Sequence, residues 1–165
     1  MSNKVVQTLA RAYVASGWTA LRFNFRGVGA SEGVHDEGRG ECVDLLTLVQ
    51  QLAPEGALAL AGFSFGAFVT SQALAQLWPQ RQIASVVLVG TAASRFAVAP
   101  VPADAHGRTL VVHGELDDTV ALSHVMDWAR PQLLPVTVVP GGEHFFHGQL
   151  GLLRDVVERH LRACA

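Results

Sequence analysis

Two hydrophobic periods alternate along this chain. Val5, Val6, Leu9, Tyr13 and Val14 recur at the three- and four-residue spacings that line one face of a helix, and Gly17 follows as a stop. Residues 18–25, WTALRFNF, switch to a period of two: Leu21, Phe23 and Phe25 alternate with Arg22 and Asn24, the pattern of a strand. After the glycine-rich RGVGASEGVHDEGRG, a helix is predicted over about 41–53 on Val43, Leu45, Leu46, Leu48, Val49 and Leu52, and PEG breaks it. Four short, largely apolar strands come next, ALALAG, IASVVLVG, RTLVVHG and LPVTVVP. Helices are predicted over about 66–78, 121–131 and 148–162, Pro79 ending the first, while TAASRFAVAPVPADAHG is an irregular connection.

Apolar strands separated by amphipathic helices are strands buried on both faces. The expectation is an α/β fold with a mostly parallel sheet of about five strands and helices on both sides. Neither a repeat, a low-complexity segment nor a linker interrupts the pattern, so residues 1–165 read as one domain. Half of the residues are hydrophobic and 16% are charged, which excludes a disordered chain. The formal net charge is −2, with Lys4 the only lysine and the arginines scattered, so no basic patch is present to bind nucleic acid. Cys42 and Cys164 are too sparse for a disulfide framework and read as free thiols. VVQTLARAYVA is not a signal peptide, and the longest apolar run, IASVVLVGTAA, is too short to span a bilayer. A cytoplasmic protein without a membrane partner is expected, as a monomer or a homodimer.

In a parallel sheet, chemistry gathers in the loops that leave the carboxyl ends of the strands. Here these are RGVGASEG, SFG, GTAAS, GELDD and GGEHFF. In SFG, Ser64 lies within G-F-S-F-G, residues 62–66, between a buried strand and a helix. That is the G-x-S-x-G pattern of a nucleophile elbow, a strained turn whose flanking glycines leave room where strand and helix nearly collide. The competing explanation is a tight turn whose serine caps the helix. The next backbone N–H, that of Phe65, opens the helix and can face a developing oxyanion. A serine hydroxyl needs a base to take its proton, and that base needs a carboxylate to fix its tautomer. GGEHFF supplies His144, and GELDD supplies Asp117 and Asp118. The chain order of serine, aspartate, histidine is that of an α/β-hydrolase triad.

With these residues in place, RFNFRGVGASEG, LAGFSFGA, VVHGELDDTV and PGGEHFF together resemble the small bacterial α/β hydrolases that lack a large cap, in the neighbourhood of the dienelactone hydrolases. The resemblance runs over nearly the whole chain. It implies an α/β-hydrolase fold without a cap domain, Ser64 as nucleophile and His144 as general base. It also implies Asp117 as the acid, at the last position of H-G-x-x-D, with Asp118 in reserve. The same resemblance makes RGVGASEG a structural loop at the active-site rim, with Arg26 and Gly27 in it; Arg26 is expected to anchor it through carboxylate or backbone hydrogen bonds, with Glu32 or Asp36 as partners.

The pattern departs from the family at its start. In related sequences a strand and a histidine- and glycine-rich loop, which supplies a second oxyanion donor, run into a helix resembling NKVVQTLARAYVASG. Here the chain opens MSNKVV. Either the chain is truncated, the reading favoured by consistency with the fold, or the flanking strands pair directly in a smaller sheet.

Other constellations carry less. RGVGASEG has Glu32 where G-x-G-x-x-G needs its last glycine, and it lacks G-K-[ST], so no cofactor is expected. His144 and His147 are three apart without H-E-x-x-H, so no metal is expected. His113 reads as a packed, hydrogen-bonded histidine. Trp18, Phe23 and Phe25 read as core, as do most of Phe63, Phe65, Phe68, Phe145 and Phe146. The expected function is a serine hydrolase that cleaves small or short-acyl esters or thioesters, small-molecule substrates, through an acyl-enzyme on Ser64. The alternative is an impaired hydrolase fold that binds a ligand or partner.

Overall fold

Alternate residues of one central strand divide the core. Val87 and Val89 face a cluster containing Val5, Leu9, Ala12, Leu153, Val157 and Leu161, while Val86 and Leu88 face one containing Ala67, Leu74, Val125 and Ala129. All four valine and leucine side chains are fully buried, as the two-residue period of a strand covered on both faces requires. In this computed structural model, which describes residues 3–165, the strand is β2 (Ile83–Val89). With it stand β1 (Leu58–Phe63), β3 (Thr109–Gly114) and β4 (Val136–Val139), all parallel and in the order β1-β2-β3-β4. Helices α1 (Lys4–Ala15) and α5 (Leu150–Ala163) cover one face. Helices α3 (Phe65–Leu77) and α4 (Leu122–Ala129) cover the other, and α2 (Arg39–Leu52) packs on α3 through Cys42, Phe68, Val69 and Ala73.

The sheet has four strands among the described residues, one fewer than expected. Residues 18–25 carry no strand hydrogen bonds, and the expected alternation is not kept: Leu21 is exposed beside Arg22, and Phe23, Asn24 and Phe25 are all half-buried. Alternation in the sequence is not enough; a strand also needs a neighbour for its N–H and C=O groups. β1, at one end of the strand order, pairs with β2 alone. Side chains hold the segment instead: Trp18 meets Tyr13 edge to face at 6.3 Å, and Phe25 meets Phe65 in the same way at 5.3 Å.

The helices fall within two residues of their expected ends. α2 starts at Arg39 because Glu41, three residues past Gly38, turns its carboxylate back to the Gly38 N–H at 2.9 Å. The irregular connection between β2 and β3 contains only a 3-10 turn at Ala103–Arg108.

Candidate active site

The turn from β1 into α3 places Ser64 at φ 54°, ψ −117°, a left-handed conformation that costs a non-glycine residue free energy. The Ser64 N–H is held by the Val89 carbonyl at 2.8 Å, which continues the sheet past the end of β1. A Cβ at position 62 would run into the Gly66 carbonyl, so strand and helix approach as closely as the elbow pattern demands. The two glycines are not equivalent, however. A Cβ at position 66 would lie 3.8 Å from Phe25, an ordinary contact, so the steric requirement expected of both falls on Gly62. The Ser64 side chain makes no capping hydrogen bond to α3. Its Oγ lies 3.0 Å from His144 Nε2 instead.

His144 stands in the loop after β4 and is buried. Its Nδ1 lies 2.7 Å from Asp117 Oδ2. The other carboxylate oxygen of Asp117 accepts the Thr119 and Val120 backbone N–H groups at 3.0 and 2.8 Å, an arrangement that locks the carboxylate plane. Asp117 is buried; Asp118 points into solvent, where it accepts a bond from the Thr119 hydroxyl at 3.4 Å. The loops are joined through their backbones as well. A Cβ on Gly114 would strike the Gly142 carbonyl, the Leu116 N–H donates to that carbonyl at 2.8 Å, and Gly141 N–H donates to Glu115 Oε2 at 2.8 Å.

Serine, imidazole and carboxylate therefore form one hydrogen-bonded line from three separate turns. Such a line can move a proton off the hydroxyl while the carboxylate stabilises the resulting imidazolium. The N–H of Phe65 is among the first of α3, and first-turn N–H groups have no acceptor within their helix. Aromatic rings flank both sides. Phe63 and Phe145 lie 4.9 and 5.0 Å from the His144 ring, and Phe25, His35 and Phe96 lie 5.1–5.3 Å from Phe65. Phe145 is half exposed, whereas Phe146 is fully buried in the core. A cavity of about 140 Å³ bounded by Ser16, Trp18, Ser85, Leu161 and Cys164 lies away from these loops, so it is not where this line of groups would meet a substrate.

The rim loop is anchored differently from expectation. Arg26 forms a two-pronged ion pair with Asp44 of α2, at 2.8 and 2.6 Å, and not with Glu32 or Asp36. Asp44 lies one turn inside α2, where its carboxylate offers both oxygens to the planar guanidinium. Glu32 contributes its backbone carbonyl, which accepts the Gly27 N–H at 3.0 Å, and the Asp36 carboxylate binds Arg39 and the Gly40 N–H. Below the loop sits fully buried Glu41, whose two oxygens accept the Asp36 and Gly38 N–H groups at 2.9 Å each. Burial alone would push this carboxyl up, but those donors and nearby His35 outweigh it and hold the group below the ordinary range. Sequence reasoning missed Glu41 and Asp44. The available signal was the Gly-x-x-Glu spacing at the start of α2.

Comparison with known proteins fits this geometry. A family model described as alpha/beta hydrolase fold matches residues 1–107. The chain belongs to the α/β-hydrolase family. Among solved structures, an α/β serine hydrolase without a lid from Xanthomonas campestris is 38% identical with a TM-score of 0.84; the alignment covers 98% of this chain and 74% of that one. An α/β serine hydrolase homologue from Coxiella burnetii is 35% identical with a TM-score of 0.77, covering 98% and 77% of the two chains. An uncharacterized protein of Rickettsia prowazekii, RP471, is 47% identical over 76 residues, which is 44% of this hydrolase-family chain and 32% of the relative. The chain thus spans about a third of that curated relative. No helix among the described residues is long and apolar enough to cross a membrane.

Proposed function

We propose that this hydrolase-family chain is a serine hydrolase acting through a covalent acyl-enzyme on small or short-acyl esters or thioesters. Ser64 Oγ attacks the carbonyl carbon as His144 Nε2 takes its proton, Asp117 holds the imidazolium, and the Phe65 N–H receives the oxyanion. His144 then returns the proton to the leaving alcohol or thiol. Water, activated by the same imidazole, releases the acid. The observation that carries this reading is the 3.0 Å approach of His144 Nε2 to an elbow serine, on an imidazole already held at 2.7 Å by Asp117. The absence of a helical lid between β2 and β3, together with half-exposed Phe145, favours compact substrates that reach the serine from solvent.

The test is Ser64→Ala, which should stay folded but lose both p-nitrophenyl acetate hydrolysis and fluorophosphonate labelling. Labelling that persists in the variant defeats the assignment. With Phe65 as the one donor assigned, a fold that binds esters without turning them over is the competing reading. A second donor is worth about 2.7–4 kcal/mol at the transition state. Folded protein that neither labels nor turns over would favour binding alone.

A further inference from the structure

His113 is fully buried at the end of β3, directly behind the acid. Its Nε2 lies 2.8 Å from the Val120 carbonyl and 3.5 Å from Asp117 Oδ2, the oxygen that faces His144. Both neighbours are acceptors, so Nε2 carries the hydrogen. Nδ1 is buried with no partner among the described residues, and a proton there would be an unsatisfied buried donor. The ring is accordingly a neutral Nε2–H donor. Burial, acting first, pushes its pKa down; the charge of His144 acts in the same direction, while Val120 and Asp117 oppose it. Asp117 and His144 are the titratable groups that act on it.

We infer that His113 is a positioning residue for the catalytic acid, clamping the backbone of Val120 so that Asp117 keeps one oxygen on its own turn and the other on His144. The Val120 backbone is the relay, through the two peptide groups that meet at its Cα. Its carbonyl is tied to His113 at 2.8 Å, and the N–H of the same residue is tied to Asp117 Oδ1 at 2.8 Å. Releasing the carbonyl frees Val120 to move and lets the carboxylate rotate off the imidazole. A neutral donor suits the task better than a lysine or arginine. A permanent cation at this distance would compete with the His144 imidazolium for Asp117 and make His144 a weaker base.

This inference rests on the Ser64 reading, and its test separates the two. His113→Phe fills the space without a donor; His113→Gln restores an amide N–H at about the position of Nε2. The phenylalanine variant should lose about 10- to 100-fold in kcat per fluorophosphonate-titrated site, with KM within about twofold of wild type. The acid limb of its kcat/KM profile should move to lower pH, because a loosened Asp117 stabilises the imidazolium less. The glutamine variant should recover most of both. A purely structural His113 would lower the titrated fraction and leave kcat per site and the limb unchanged, which overturns the inference. The ring-proton NMR titration of His144 requires no turnover: an unshifted midpoint in His113→Phe, or in His113→Gln and His113→Asn alike if the phenylalanine protein does not fold, also overturns it. Wild-type protein that takes no label at Ser64 would instead remove the hydrolase reading while leaving the His144 titration to judge the clamp.

Discussion

At the scale of single residues, the two adjacent aspartates separate orientation from charge. Asp117 is buried with four hydrogen-bonding positions in use or in reach, and Asp118 is exposed beside it with the same formal charge. Asp117→Asn should cut kcat by about 10³- to 10⁴-fold, the scale of losing the acid in a Ser-His-Asp arrangement. Asp118→Asn should leave it within about twofold; ester hydrolysis at saturating substrate measures both. The elbow glycines give a second contrast. Gly62→Ala forces its new methyl against the Gly66 carbonyl and should cost ~1–3 kcal/mol in urea unfolding. Gly66→Ala meets only Phe25 at ordinary distance and should be neutral or slightly stabilising, alanine being the better helix former. Ser64, Asp117 and His144 were legible because residue type, strand-end placement and chain order are sequence properties. The difference between Gly62 and Gly66 was not, because it depends on which of two backbones crosses the other's Cβ direction.

At the scale of elements, the loop between residues 26 and 40 is built around acids that lie in α2. Glu41 accepts two backbone N–H bonds in full burial, and Asp44 clasps Arg26. Glu41→Gln replaces one accepting oxygen with an NH₂ group facing an N–H, and should cost ~2–3 kcal/mol in chemical denaturation. The pH dependence has a definite sign. The folded-state pKa values of Glu41 and Asp44 are depressed, so each stabilises the fold above its unfolded value and the benefit disappears as pH falls through the folded one. Acid titration of wild type should therefore lose stability below about pH 4.5, and Glu41→Gln should show a shallower decline, read by circular dichroism. Helices and buried strands were legible element by element, since their periods differ. The pairing of Arg26 with Asp44 was not. Glu32 and Asp36 are nearer in sequence, but the two-pronged match is decided by how α2 docks on the loop.

At the scale of the whole molecule, the order β1-β2-β3-β4 predicts how protection is distributed. β2 and β3 have strand neighbours on both sides, and Val86, Val87, Leu88, Val89 and Val112 are fully buried. Their amides should exchange slowest with deuterium, β1 amides faster, and residues 19–25, which lack strand bonds, fastest of the three. Equal protection in 19–25 and β2 would contradict this architecture. The α/β class and the covered sheet followed from the sequence because burial on both faces leaves solid apolar strands. The strand count did not, because WTALRFNF has the side chains of a strand and gains that status only from a neighbour. One further property of the assembly follows from the contact between Gly114 and Gly142. The turn bearing Asp117 and the loop bearing His144 are fastened to each other by the Leu116–Gly142 backbone bond and the Glu115 carboxylate, independently of Ser64. His144 and Asp117 are therefore held as one unit, and a change of loop length on one side must be matched on the other. On the function proposed above, the serine elbow on β1 and α3 is then the half that can be reshaped for a different substrate without disturbing the contact between His144 and Asp117.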